Sequence, residues 1–525
     1  MKDRVSLYPG RVTLTPVPGQ ENTYDMERAD QPTQEGTPMN KATLLKDDTA
    51  ALYGLGPDSV PDDVLKSIPN SIEPVGTVKT TLRSDLSNDW LLANGEPYDT
   101  TLYSGLKSVI DPNYSVMWDT IELNLTNSLF PSTYNDTAIL SSASYPPGYV
   151  RKLKLYGEYV YFLCYAYYGS DADYKVFHLG RIKKDLSGDI QISKEVAACN
   201  SYSMYLYYME DFAIQESTGK CVVVGNYKYS ANYSRYYLGY AYADSFDGIW
   251  TANYVNPAGS SYLEGALYSL VEATTDGFLW IHVGASSTTY NFMYSYGQGP
   301  SWTNKKKTLV NGYTGNAVLT VLNDTFYVSY HDRSNNTISH ATAGSTNYNA
   351  KSVTEQFKWS SKTWSNISSK DYSGYGVLNY LGLIPFKGKL IISYEQDSYL
   401  YDPSTGDVTD ITTYGFNSVL GSGVWYDESS NKYWVPMGYG SSNYSYLAIF
   451  ETIEGGLTRI DSYNLPTVPS VYEGPTMIDT GYTGILYYVK QTVTSAPTRV
   501  IRGNYSPYRL PLITLDNAYC YIKGR

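Results

Sequence analysis

The side chains able to carry acid–base chemistry are few and scattered. There are four histidines, His178, His282, His331 and His340. His282 lies inside the apolar run Gly277–Val283 and reads as a core residue, while His331-Asp332-Arg333 stands just past a strand, the place of a catalytic group or of an ordinary turn. Cleaving a glycosidic bond takes two carboxyl groups about 5–9 Å apart. Asp211, Glu216, Glu264, Glu272 and Glu395 are candidates, and no spacing singles out a pair. Asp171-Ala172-Asp173 and Asp185-Leu186-Ser187-Gly188-Asp189 offer the oxygen ligands that Ca²⁺ takes, in a composition that solvated loops share. No Gly-x-Ser-x-Gly, His-Glu-x-x-His or phosphate loop occurs. Cys164, Cys199, Cys221 and Cys520 form no Cys-x-x-Cys pair and no metal-ligand spacing; Cys164 and Cys221 sit in apolar strands as buried thiols. The expectation is no catalytic set, no metal and no cofactor, in a chain that leans away from enzymes.

What the sequence has in excess is tyrosine, 58 of 525 residues. Tyrosine suits strands, and it suits surfaces that bind without ordering long side chains. Three dense stretches are Tyr165-Ala166-Tyr167-Tyr168, Tyr202-Ser203-Met204-Tyr205-Leu206-Tyr207-Tyr208 and Asn232-Tyr233-Ser234-Arg235-Tyr236-Tyr237. An exposed ring can take the C–H face of a sugar while neighbouring Asn and Ser bond its hydroxyls. Tyr167, Tyr168, Tyr233 and Tyr236 are the candidate ligand-binding aromatics, although most tyrosines are expected to pack between sheets.

These residues are positioned by a repeat. A tight turn followed by a mostly apolar strand recurs seven times, beginning at Gly157, Gly219, Gly277, Asp324, Gly388, Asn431 and Gly484, with spacings of 43 to 64 residues. A period near 50 is that of a β-propeller, whose blades are four-stranded antiparallel sheets around a centre. The reading is mainly β, with a C-terminal propeller of about seven blades, six or eight also fitting the irregular spacing. A sandwich array with coincidental turns is the alternative.

Length and charge set further limits. A chain of 525 residues exceeds one ordinary core, and 42% apolar with 17% charged residues describes a folded protein. A net charge of −12 without a Lys/Arg cluster argues against nucleic acid as a partner. Met1-Lys2-Asp3-Arg4 opens no secretory signal, and no apolar run approaches the 18 residues of a membrane span. Synthesis and folding in a cytoplasm, without membrane insertion, are expected.

Ahead of the repeat come three segments. Residues 1–40 are polar and rich in Pro and Gly, and Arg11-Val12-Thr13-Leu14-Thr15 has the look of a strand added to a partner's sheet. Residues 40–70 turn helical, with Pro61-Asp62-Asp63 opening the second of two short helices. Such helices do not stand alone in water, and packing in a symmetric oligomer is the economical answer. Pro74-Val75-Gly76-Thr77-Val78, Asp89-Trp90-Leu91-Leu92-Ala93-Asn94-Gly95 and Tyr103-Ser104-Gly105-Leu106 then follow. Together they resemble the phage tail-collar module, with Asp89 and Ala93 in place of that family's Gly and Cys. The resemblance covers about 40 residues and gives Gly76, Trp90, Leu91, Asn94, Gly95, Tyr103 and Leu106 structural roles.

Leu7-Tyr8-Pro9-Gly10-Arg11-Val12 and Asn40–Leu45 look like the attachment region of phage tail fibres and receptor-binding proteins. The resemblance implies an arm and helices (1–70) joined to other tail or baseplate proteins, a collar-like stem (71–148) and a propeller head (149–525) that binds a host surface glycan. It further implies a homotrimer, a place on the virion, and release by lysis; a polysaccharide depolymerase or a purely structural baseplate part are the alternatives. The alternating strand Ala518-Tyr519-Cys520-Tyr521-Ile522 either completes a blade or returns to the collar. Finally, Ser245-Phe246-Asp247-Gly248-Ile249-Trp250 resembles a shortened Asp-box of sialidase-type propellers, in which the Asp closes a turn and the Trp packs between strands. The arginines that hold substrate in that family have no counterpart on the aligned strands, so the chemistry is not implied.

Overall fold

A computed structural model of the chain describes residues 5–34 (except 9 and 30), 47–110 (except 53, 57, 58 and 97), 119–139 (except 135), 148–169, 174–200, 206–228, 236–256, 265–285, 290–309 (except 308), 313–333, 349–373, 381–411 (except 395 and 396), 425–427, 432–439, 444–464 (except 454 and 455), 476–479, 484–490, 498–505 and 509–525. It divides into two units, Met1–Ser115 with Arg509–Arg525, and Val116–Tyr508.

In the first unit the segment Val12–Pro16 pairs with Tyr24–Arg28 of its own chain, where the sequence suggested a partner's sheet. Two helices follow, Asp47–Leu52 and Pro61–Ile72; the Val60 N–H donates to Asp63 Oδ2 at 2.8 Å as the second begins. The collar-like residues then form a three-stranded sheet whose middle strand, Tyr519–Lys523, comes from the far end of the chain, between Val78–Thr81 and Trp90–Leu92. So the last strand returns to the collar, and the head expected over 149–525 gives up its closing C-terminal strand. Cys520, Tyr521, Ile522 and Lys523 are all buried, so both faces of this middle strand are covered. Gly76 sits at φ +89°, where a Cβ would meet Val109 Cγ2 at 2.9 Å, so the turn before Val78 requires glycine.

The second unit is a β-propeller. Among the described residues its strands form seven antiparallel meanders, numbered in the chain order of their first strands; the first has five strands, since Gln191–Ile192 and Ala197–Asn200 both pair with Tyr174–Lys183, the others have four, and the first two are joined through the single pair Cys199↔Leu206. Six of the seven repeat turns stand immediately before or at the start of the second strand of a meander, and Asn431 lies outside the described residues. Gly157, Gly219 and Gly388 take positive φ there, the conformation tight turns favour. Both faces of the second strands are covered, which is why they read as continuous apolar runs. One apolar layer joins meanders 1 and 2, around Leu163, Phe177, Val223 and Ala241. Others join 2 to 3, 3 to 4 and 4 to 5.

Phe386 meets Tyr426 between meanders 5 and 6, and the first strands of 6 and 7 lie side by side. The layer around Tyr487, Val489, Val150 and Phe162 brings meander 7 back to meander 1. Sheets sharing both faces in a closed succession make a propeller, not a sandwich. The outer strand of meander 7 is Asp119–Asn124, paired with Arg499–Tyr505. That strand therefore belongs to the head, although the sequence placed it in the stem.

Candidate functional site

Charged side chains converge where the first strands of meanders 1, 2 and 3 lie side by side: Lys154 from Tyr149–Tyr156, Glu210 and Asp211 from Leu206–Gln215, and Glu272 from Gly265–Thr274. Lys154 Nζ lies 3.0 Å from Asp211 Oδ1 and 2.8 Å from Glu272 Oε1. It also donates to the Val271 carbonyl at 2.7 Å, reaching from the first sheet to the third. The Tyr156 hydroxyl donates to Glu272 Oε2 at 3.3 Å. Asp211 Oδ2 accepts the Val271 N–H at 2.9 Å, and Glu210 Oε2 the Ser269 N–H at 2.6 Å. Glu210 is the extra residue of a β-bulge, since pairing passes from Met209↔Gly225 to Asp211↔Val224. Its other oxygen takes Asn226 Nδ2 at 3.0 Å. Gly225 lets the bulge approach: a Cβ there would stand 1.9 Å from the Tyr208 carbonyl oxygen.

Burial raises the Glu210 pKa to about 7. Burial also raises Glu272, against the opposing pull of Lys154. On Lys154 itself burial acts downward, but the carboxylates of Asp211 and Glu272 outweigh it and the net shift is upward. Asp211 and Glu272 are the pair that spacing did not single out, and Lys154 and Glu210 carried no sequence signal. Each carboxylate oxygen of Asp211, Glu272 and Glu210 accepts a hydrogen bond from the protein. Chemically this is a brace between three sheets.

The other candidate acids are dispersed. Glu216 accepts the turn N–H of Gly157, Glu264 and Glu395 lie outside the described residues, as do Asp171 and Asp173, and Asp185 and Asp189 are exposed. No group of three metal-ligating side chains occurs among the described residues. The described histidines are core residues: His282 Nδ1 is 2.8 Å from Ser269 Oγ and His331 Nδ1 2.8 Å from Ser352 Oγ, both buried, and His178 Nδ1 is 3.0 Å from the Ser193 carbonyl. Burial lowers the His282 pKa to about 3, so its imidazole is neutral. His340 lies outside the described residues.

The collar-like residues pack with one another and with the C-terminal strand. Trp90 and Leu91 pair with Lys523 and Ile522, and Lys79 Nζ stands 4.6 Å from the Trp90 ring centre. Asn94 bridges Leu512, Gly95 takes φ +79°, and its carbonyl accepts Arg509. Tyr103 and Leu106 are buried, with the Tyr103 hydroxyl on the Asn88 carbonyl at 3.0 Å. In the Asp-box-like turn, Gly248 N–H donates to the Ser245 carbonyl, and Trp250 packs in the layer between meanders 1 and 2. Asp247 does not close this turn; it reaches Arg181 of meander 1 at 3.5 Å.

The predicted aromatics divide. Tyr168 is fully buried between meanders 7 and 1, its hydroxyl on the Pro131 carbonyl at 2.8 Å, so it is a core residue and not a ligand contact. Tyr233 lies outside the described residues. Tyr167 and Tyr236 are half-buried and hold corresponding places, each paired across the second and third strands with a lysine: Tyr167↔Lys175 and Lys228↔Tyr236. The ammonium groups stand 5.4 and 5.6 Å from the respective ring centres. Both pairs are on the face opposite the tight turns.

No protein-family model matches this sequence, and no curated protein matches it. Among solved structures it is similar to a polysaccharide lyase at 10% identity and TM-score 0.43, covering 68% of this chain and 90% of the other. It is similar to the β-propeller domain of the Trilobed protease from Pyrococcus furiosus at 8% identity and TM-score 0.35, covering 70% and 98%. A third similarity is to an Aleuria aurantia lectin solved with a fucosyl-N-acetylglucosamine ligand, at 13% identity and TM-score 0.32, covering 60% and 99%.

Proposed function

We propose that this chain is a receptor-binding protein at the tail tip of a phage or phage-like particle. In this reading the collar-like unit attaches it to other tail or baseplate proteins as a homotrimer, and the propeller binds a glycan of the host surface. The observation that carries the reading is the pairing, in one chain, of a folded collar-like sheet with a propeller face that bears solvent-facing tyrosines. The test is to mix full-length protein with host cells and purified wall polysaccharide, scoring retention and polymer length together. Retention with intact polymer is expected; failure to bind any host surface overturns the reading. Light scattering is expected to give three chains per particle, and a monomer would remove the trimer.

A further inference from the structure

The apolar layer between meanders 1 and 2 changes character along its length. Side chains two residues apart on a strand share a face, so each strand continues the layer toward the face opposite the tight turns. Beyond Tyr161 and Leu163 come Tyr165 and Tyr167; before Phe177 comes Lys175; beyond Val223 comes Tyr227; before Ala241 comes Tyr237; beyond Ala252 comes Tyr254. At that end the layer consists of tyrosines from both sheets, with one lysine among them.

One of these rings, Tyr254, reaches solvent, and so does Tyr208, which stands beside Lys175. Among the residues of 116–508 whose side-chain burial is described, the exposed tyrosines are Tyr208 and Tyr254, at 36% and 41%. Both are held. Tyr254 stacks on the buried Tyr227 at 4.5 Å and 9°, with Tyr237 at 5.2 Å, so one face is fixed inward and the other is presented. Tyr208 lies 5.6 Å from Lys175 Nζ, whose charge also faces the rings of Tyr165 and Tyr167 at 5.6 and 5.4 Å. The ammonium ties Tyr208 to the opposite wall.

We propose that Tyr208 and Tyr254, at the open end of the layer between meanders 1 and 2, are the stacking platforms of a glycan subsite for pyranose rings. Lys175 and Tyr227 are positioning residues. This rests on the glycan-binding reading above and locates it. A pyranose presents axial C–H groups on one face and hydroxyls around its edge. A tyrosine ring meets the first by dispersion and charge–quadrupole attraction, and its hydroxyl meets the second. Rings already fixed lose little freedom on binding, which favours affinity.

The test uses the full chain on an array of pyranose oligosaccharides and bacterial wall polysaccharides, followed by titration of the strongest binder. Tyr254→Ala and Tyr208→Ala are each expected to weaken binding about tenfold or more. Tyr254→Phe keeps most of the affinity because the ring remains. Ile249→Ala, at an exposed residue on the tight-turn face, changes nothing. Thermal unfolding of each variant verifies the fold. If the wild type binds while both alanine variants bind as well as it does, the subsite is wrong and the glycan reading stands. If the wild type binds no glycan, both fall.

Discussion

Each of the two units closes with a strand from far away in the sequence, and they do it differently. The collar-like sheet takes Tyr519–Lys523 as its middle strand, bonded on both sides. The propeller takes Asp119–Asn124 as an outer strand, bonded on one side to Arg499–Tyr505. A borrowed strand in the middle makes the smaller sheet depend wholly on its donor. A borrowed strand at the rim leaves the larger unit's cores, which lie between sheets, in the hands of its own residues. The units also differ in what they expose. Leu14, Met26, Leu52, Leu65 and Leu82 of the first unit are all more than half exposed, whereas in the second, among the residues whose burial is described, only Ile249 is. Exposed large apolar side chains mark surfaces that another molecule can cover.

Removing residues 509–525 is expected to break the contrast most severely. Calorimetry should lose the transition of the first unit and keep that of the propeller; loss of both would mean that the propeller also rests on the returning strand. Next comes Lys154→Met, which leaves Asp211 and Glu272 buried without their cation. A cost of about 3–5 kcal/mol is expected in the propeller transition alone. Combining it with Asp211→Asn and Glu272→Gln should restore much of that loss, which a purely steric defect would not allow.

A smaller effect depends on pH. The folded-state pKa of Glu210 is raised from 4.5 to about 7. Its stabilisation is therefore present below pH 4.5 and lost as pH rises through 7, a span of at most about 3 kcal/mol. Glu210→Gln should gain on the wild type progressively between pH 4.5 and 7; a constant difference in melting temperature would show that Glu210 is not desolvated. His282 works in the opposite sense, its contribution being lost as pH falls from 6.5 towards 3. The smallest effect is Tyr103→Phe, which removes one hydrogen bond and should lower the first unit's stability by about 1 kcal/mol, leaving the propeller unchanged.

Much of the propeller was legible because its signal is local: a turn glycine at positive φ followed by strand residues buried on both faces. The turn at Gly76 was legible for the same reason, since its positive φ is a local demand, although the Val109 side chain that crowds it is 33 residues further on. Partnerships across long separations were not legible. Nothing in Tyr519–Lys523 distinguishes a blade strand from the middle of the first unit's sheet, because a strand covered on both faces suits either place. Lys154 lies 117 residues from the carbonyl it meets, and the bulge that turns Glu210 outward of its ladder depends on Gly225 of the next strand. The tyrosine stretches did not tell which rings reach solvent, because burial depends on packing across sheets: Tyr168 is inside and Tyr254, in a stretch with no cluster of its own, is outside.

The central position of Tyr519–Lys523 also imposes an order in time. A ribosome makes the two outer collar strands early and the middle one only after the entire propeller. At ~5–20 residues per second that delay is on the order of tens of seconds. Throughout it, Val78–Thr81 and Trp90–Leu92 present unpaired edges while the larger unit folds. The three-stranded sheet of the first unit is thus the last part to mature, and a chain whose synthesis stalls within the propeller never completes it. Any association that needed that finished sheet would select for completed chains without a separate proofreading step.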